Sequence, residues 1–131
     1  MSAALLDTSV LIAVDEDASM DLPADAAISV VTLGELRAGV LRARGDIQRA
    51  ARRSRIAAIR AAYAPLIVDE AVAEHYGDAL AHARTVGRTV KATDLLIIAT
   101  ARATGRTLHT LDRAQANLAR ELDVIVTGAG S

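Results

Sequence analysis

Cysteine is missing from this 131-residue chain, aromatic side chains make up 2% of it, and only two prolines occur. The first absence excludes a disulfide framework, a thiolate zinc site and a cysteine nucleophile. The second leaves Tyr63 and Tyr76 as the only rings, so the core falls to Leu, Ile, Val and Ala. It also removes base stacking on exposed aromatics as a way of gripping nucleic acid. No apolar run approaches the ~20 residues that would span a bilayer. The eight glycines form no Gly-x-Gly-x-x-Gly or phosphate-loop pattern, which disfavours a nucleotide cofactor. The first fourteen residues carry no basic leader and place Asp7 inside their apolar stretch. A cytoplasmic protein with no secretion signal and no membrane partner is therefore expected.

What is present is 52% apolar and 24% charged, with 29 alanines, which suits a single domain over residues 1–131. The net charge of −1 predicts no polyanion partner, but the charge is segregated. Residues 1–34 hold six acids and no Lys or Arg, whereas residues 36–60 hold eight arginines against Asp46 alone. One part of the surface is thereby suited to an anion.

Short β-like runs alternate with helical ones. Strands are expected over 3–6, 27–30, 66–68, 107–110 and 124–126, with an acidic loop over 15–23. Helices are expected over 11–14, 32–44, 46–63, 69–86, 95–104 and 114–122. In the third of these, Ile47, Ala50, Ala51, Ala58 and Ala61 read as the apolar face. Strands alternating with helices imply right-handed crossovers, hence an α/β fold of three layers (α/β/α) around a parallel sheet of about five strands.

In such a sheet, ligands bind beyond the carboxyl ends of the strands, where the strand order reverses. Asp7 and Asp112 follow the first and fourth strands, Glu35 lies early in the helix after the second, and Asp94 opens the helix before the fourth. Were those strands neighbours, four acids would meet at one rim. Two carboxylates ~5 Å apart repel by about 3 kcal/mol at an effective dielectric near 20, so four of them require protons or a cation. An all-oxygen set suits Mg²⁺ or Mn²⁺, and the chemistry that fits is metal-assisted phosphodiester hydrolysis. Each acid taken alone also fits a helix cap. Thr32 with Glu35, and Asp112 with Gln115, have the spacing of a capping box. Asp69 follows the third strand as Asp7 follows the first, and periodicity does not separate the two.

Four stretches resemble, in order, the motifs of PIN-domain nucleases. They are Leu5-Leu6-Asp7-Thr8-Ser9-Val10-Leu11-Ile12; Ser29-Val30-Val31-Thr32-Leu33-Gly34-Glu35-Leu36-Arg37-Ala38-Gly39; Thr93-Asp94-Leu95-Leu96-Ile97-Ile98-Ala99-Thr100-Ala101; and Leu108-His109-Thr110-Leu111-Asp112. The length is similar to that of single-domain VapC toxins of bacterial toxin–antitoxin pairs. The resemblance implies a Mg²⁺- or Mn²⁺-dependent endoribonuclease, dimeric and held inactive by a VapB-like antitoxin. It implies catalytic and metal-site roles for Asp7, Glu35, Asp94 and Asp112, with Thr110 as a supporting hydroxyl and the third strand at a sheet edge. The fourth motif departs from the family in lacking the aromatic that often follows Thr-Leu-Asp, which makes an indirect role for Asp112 the alternative.

Arginine's planar fork suits phosphate, so RNA contacts are expected from Arg37 and Arg42, beside Glu35, and from Arg88 and Lys91, flanking Asp94. Arg52 and Arg55 read as less well placed. His75, Asp78 and His82 share a helical flank, but without the His-Glu-x-x-His spacing they read as a surface group. Leu11, Val14, Leu33, Leu36, Val40 and Leu41 exceed the needs of one helix face, and part of that surface is expected to form a groove for an antitoxin helix. Two non-enzymatic readings stand as alternatives: a receiver-like module phosphorylated at Asp69, and a degenerate PIN fold that serves only interaction.

Overall fold

The computed structural model describes residues 3–16 and 22–128, so most of the expected acidic loop, residues 17–21, lies outside the described residues. Five parallel strands, β1 (Ala4–Leu6), β2 (Ala26–Ser29), β3 (Ala64–Leu66), β4 (Thr107–Thr110) and β5 (Val126–Gly128), form one sheet in the order β3-β2-β1-β4-β5. Among the described residues six helices connect or flank them: α1 (Thr8–Glu16), α2 (Val30–Leu41), α3 (Asp46–Ala62), α4 (Glu70–Thr85), α5 (Ala92–Thr104) and α6 (Arg113–Glu121).

The period-two alternation of β1 divides the core between the two faces of the sheet. Leu5 packs with Ala79 and Ala83 of α4, Leu95 and Ile98 of α5 and Leu118 of α6. Ala4 and Leu6 point the other way, to Leu11 of α1, Leu36 of α2 and Ile59 of α3. Each such Leu or Ile contributes about 1.5–3 kcal/mol on burial. Helix α5 is buried over Leu95 and Ile97 to Ala101, as its nearly all-round apolar sequence requires. The expected three-layer α/β architecture is therefore the one found.

Several boundaries differ from expectation for identifiable reasons. Strand β3 starts two residues early and takes in Pro65, which an edge strand tolerates because one side of it makes no ladder bonds. Strand β5 starts two residues late. Val124 is buried in the core, but its N–H is still spent on Ala119 O at the end of α6 (3.0 Å), so pairing begins beyond it. Gly128 closes β5 against β4 with φ +108°, and a Cβ there would stand 2.3 Å from Thr110 O. Helix α2 begins at Val30 because Ser29 caps it, its hydroxyl accepting from Val31 N (3.0 Å). The buried face of α3 is carried by Ile56 and Ile59, not by the expected alanines, and Ile47 is 91% exposed.

Candidate functional site

The chain runs from β1 outward to β2 and β3, then returns to place β4 on the other flank of β1. The order reverses between β1 and β4, and this is where the acids gather. Asp7 directly follows β1 and is 5% exposed. Its Oδ2 accepts from Ser9 Oγ (2.6 Å), Ser9 N (3.2 Å) and Thr110 Oγ1 (3.2 Å). Ser9 Oγ in turn accepts from Leu111 N (3.0 Å), which ties the start of α1 to the end of β4. Thr110 thus reaches Asp7 from the end of β4.

Glu35 lies half-buried in α2, six residues past the Ser29 cap. The capping-box reading of Thr32 and Glu35 is therefore wrong. Thr32 is fully buried inside the helix, and Glu35 Oε1 instead accepts from Thr8 Oγ1 of α1 (2.8 Å). Asp112 does cap α6, its Oδ1 accepting from Gln115 N (3.0 Å), and is otherwise exposed. Asp94 sits in the first turn of α5, but Lys91 holds the cap position, so the expected capping role falls away. Its carboxylate accepts no hydrogen bond from another described residue.

Electrostatics sets this rim apart. Burial raises the Asp94 carboxyl from an ordinary 3.8 to about 6, reinforced by the charges of Asp7, Asp112 and Glu35 in that order, with Lys91 opposing. None of the four acids forms an ion pair with another described residue. The ion pairs that do form go to Asp46, Asp15, Glu121, Asp78 and Asp25. Among the described residues, no three Asp, Glu or His side chains already stand close enough to cage a metal ion. The donor set nonetheless fits a hard divalent cation. It is all-oxygen, uncompensated and partly dehydrated, and Mg²⁺ commonly keeps several waters while taking one or two carboxylates.

The family model for the PIN domain matches residues 4–121. This chain belongs to the PIN-domain family. It is 43% identical over 100 residues to Ribonuclease VapC8 of Mycobacterium tuberculosis, covering 74% of this chain and 88% of that protein. To Ribonuclease VapC4 of the same species it is 39% identical over 112 residues, 83% of this chain and 85% of that one. Among solved structures, a member of the VapBC family of toxin-antitoxin systems, VapBC-5 from Mycobacterium tuberculosis, superposes with a TM-score of 0.84 at 33% identity, covering 98% of this chain and 100% of that one. FitAcB from Neisseria gonorrhoeae superposes with a TM-score of 0.77 at 28% identity over 95% and 96% of the two chains.

Around the acidic rim of this PIN domain the cations are not arranged as the sequence suggests. Arg37 and Arg42 are exposed, with Arg42 ending α2, and Arg88 is paired with Glu121. Lys91 is near enough to act on Asp94. Arg52 and Arg55 of α3, set aside in the sequence, line a cavity of about 250 Å³ together with Thr8, Glu35, Leu36 and Gly39. Arg52 Nη1 donates to Gly39 O (2.6 Å) and Arg55 Nε to Asp15 (2.9 Å), which holds both guanidiniums on that wall. The missed signal was spacing: Arg52, Arg55, Ile56 and Ile59 fall on one helical stripe, so these arginines face inward with the buried isoleucines.

Other candidates disperse. Asp78 pairs with Arg102 (2.8 Å) and His82 with Glu121 (2.8 Å), while His75 Nδ1 is buried with no hydrogen-bond partner among the described residues, so the three make no common site. Asp69 lies beyond the edge strand and caps α4, accepting from Val72 N (2.9 Å), which removes the setting a receiver-like phosphoacceptor needs. Of the residues expected to line a groove, Val40 is buried in the core and Leu36 opens only onto the cavity beside Glu35. The apolar hollow lies instead between α1 and α3, about 360 Å³ lined by Leu11, Val14, Leu22, Ile59 and Tyr63.

Proposed function

We propose that this chain is a divalent-metal-dependent endoribonuclease toxin of the VapC kind, acting in the cytoplasm and silenced by a cognate antitoxin. The observation that carries the reading is the set of four acids around the β1–β4 switch point, none ion-paired with a described residue and one of them driven toward protonation by burial and by the charges of the others. Ribonuclease names on relatives up to 43% identical and the toxin-antitoxin structure at TM-score 0.84 support the activity and the partner.

Asp7, Glu35 and Asp94 would hold the ion, Mg²⁺ or Mn²⁺, with Asp112 assisting while it caps α6. When bound, such an ion neutralises charge on the phosphoryl group and lowers the pKa of an attacking water. The protein's share is orientation. Ser9 and Thr110 aim Asp7, and Thr8 aims Glu35 across from α1. Arg52 and Arg55 would take an RNA phosphate beside Glu35, each with guanidinium N–H groups left after its internal bond. Lys91 and Arg88 would guide the strand past Asp94, and Arg37 and Arg42 would contribute at longer range.

The hollow between α1 and α3 suits the apolar face of an antitoxin helix, and two toxin chains would pair as a homodimer. Among the described residues no helix is long and apolar enough to cross a membrane. The deciding experiment is cleavage of a structured RNA by the purified chain with Mn²⁺ and with excess chelator, beside Asp94→Asn. Activity that survives either the chelator or the substitution would remove the proposal, and no cleavage with Mn²⁺ present would leave the degenerate, interaction-only PIN fold. Ala58→Glu in the α1–α3 hollow should abolish co-purification with the antitoxin while the chain alone still cleaves.

A further inference from the structure

We propose that Gln115 is a positioning residue of the acidic rim, its buried carboxamide fixing Asp7 against the backbone of Asp94 so that the Asp7 carboxylate faces a divalent cation. The inference rests on the metal-centre reading above.

Gln115 is the third residue of α6 and is 1% exposed, on a helix whose other inward positions are Ala116, Leu118 and Ala119. Burying an amide among such neighbours is costly unless both of its ends are bonded. One end lies 3.4 Å from Asp7 Oδ1 and 3.5 Å from Asp94 O, and both of those atoms are acceptors. That end must therefore be the NH₂. The opposite end, Oε1, then accepts from Thr110 Oγ1 at 2.7 Å. The backbone N of Gln115 donates to Asp112 (3.0 Å). A single residue thus touches Asp7, Asp94 and Asp112, and it joins the ends of β1 and β4 to the starts of α5 and α6.

The proton count sharpens its role. Thr110 has one hydroxyl proton and two candidate acceptors, Gln115 Oε1 at 2.7 Å and Asp7 Oδ2 at 3.2 Å. The shorter bond is the stronger, so Asp7 Oδ2 is held chiefly by Ser9, with Thr110 the weaker contact, while Oδ1 is steered by Gln115. A lysine or arginine in this place would also steer Oδ1 but would cancel the charge a cation needs. The neutral amide orients the carboxylate and leaves its charge intact. Its contacts to Asp7 and Asp94 are at the long end of the hydrogen-bond range, so they direct the carboxylate without occupying it fully.

The test uses the full chain with Mn²⁺ as probe, free Mn²⁺ being read by electron paramagnetic resonance at pH 8, together with kcat and KM on one RNA oligonucleotide. Gln115→Met and Gln115→Leu keep the volume and remove every side-chain hydrogen bond. Removing the partner that orients a metal ligand commonly costs about 10–100-fold in affinity or activity. Both variants should therefore weaken Mn²⁺ binding by at least ~10-fold and lower kcat similarly, with KM for RNA within about two-fold. Leu118→Val, one turn along in the core, should lower Tm yet leave Mn²⁺ affinity within two-fold, which a merely structural role for Gln115 does not predict. Unchanged Mn²⁺ affinity in the Gln115 variants, beside its loss in Asp94→Asn, would overturn this inference alone. Retained affinity and cleavage in Asp94→Asn would overturn the metal-centre reading beneath it. Failure of both Gln115 variants to fold would make Gln115 a packing residue and end the proposal.

Discussion

Asp7 and Asp69 begin alike, each close behind a short strand and just before a helix, and they end in opposite roles. Asp7 stands at the centre of the sheet, where β1 is flanked by β2 and β4, and helices α2, α5 and α6 bring Glu35, Asp94 and Asp112 toward it. Asp69 stands past the edge strand β3, exposed, and spends its carboxylate on capping α4. The edge acid therefore stabilises the fold, whereas Asp94 at the centre is burdened by burial and by the charges of Asp7, Asp112 and Glu35. A cluster that costs stability persists where a ligand repays it, and a region of this kind is where function is to be sought.

The contrast breaks most sharply at Asp94. Asp94→Asn should lower RNA cleavage by on the order of 10²–10³-fold, the equivalent of ~3–4 kcal/mol of lost transition-state stabilisation. Circular dichroism should show the fold intact. The parent enzyme should also lose activity on acidification, because protonated Asp94 cannot ligate a cation. With its carboxyl at about 6, cleavage should fall roughly ten-fold per unit below that pH and level off above it. A profile flat from pH 5 to 8 would separate Asp94 from the chemistry.

A smaller effect is expected on the wall beside Glu35. Arg52→Ala and Arg55→Ala should each raise KM for RNA about five-fold with kcat little changed, and raised salt should erase much of the difference. Arg37→Ala, on the exposed face of α2, should change KM by less than two-fold. The reverse ranking would restore the order that the sequence suggested.

The architecture and the four acids were legible because each rests on a local signal: apolar runs of strand length, helix punctuation at Gly45, Gly87 and Gly105, and motifs that place an acid beside a strand or helix end. What escaped depends on contacts distant in sequence. Glu35 looked like part of a capping box until Thr8, 27 residues away, took its carboxylate. Gln115 looked like a capping partner of Asp112, and no spacing rule reports that it also reaches Asp7, 108 residues earlier. Arg52 and Arg55 read as less well placed because Arg37 and Arg42 share a helix with Glu35, yet the stripe they form with Ile56 and Ile59 turns them to the cavity beside it. Asp69 could not be told from Asp7 without strand order, which is a property of the whole sheet.

Stability measurements draw the same line at smaller scale and with opposite signs. The folded Asp94 carboxyl, at about 6, lies above its ordinary 3.8, so between those values the native state holds the extra proton. Parent stability must then fall as pH rises through that window and stay lower above it. Asp94→Asn abolishes the fall. At pH 8 without divalent ions it should melt ~4 °C above the parent, corresponding to about 1 kcal/mol once the shift is discounted for solvent screening. At pH 4 the two should nearly coincide. Added Mn²⁺ should raise the Tm of the parent and not that of the variant.

At the edge of the sheet the sign reverses. Asp69→Ala removes the side-chain cap from Val72 N and should cost about 1 kcal/mol, with Asp69→Asn recovering most of the loss because an amide oxygen caps nearly as well. Neither change should alter kcat or KM by more than about two-fold, since α4 packs on α5 well away from its first turn and Asp69 is not among the charges that act on Asp94. Incubation of the parent with acetyl phosphate, followed by intact-mass measurement, should leave its mass unchanged. A phosphoryl adduct lost in Asp69→Ala would instead make the edge a second chemical site, and the division between an edge that stabilises and a centre that acts would no longer hold.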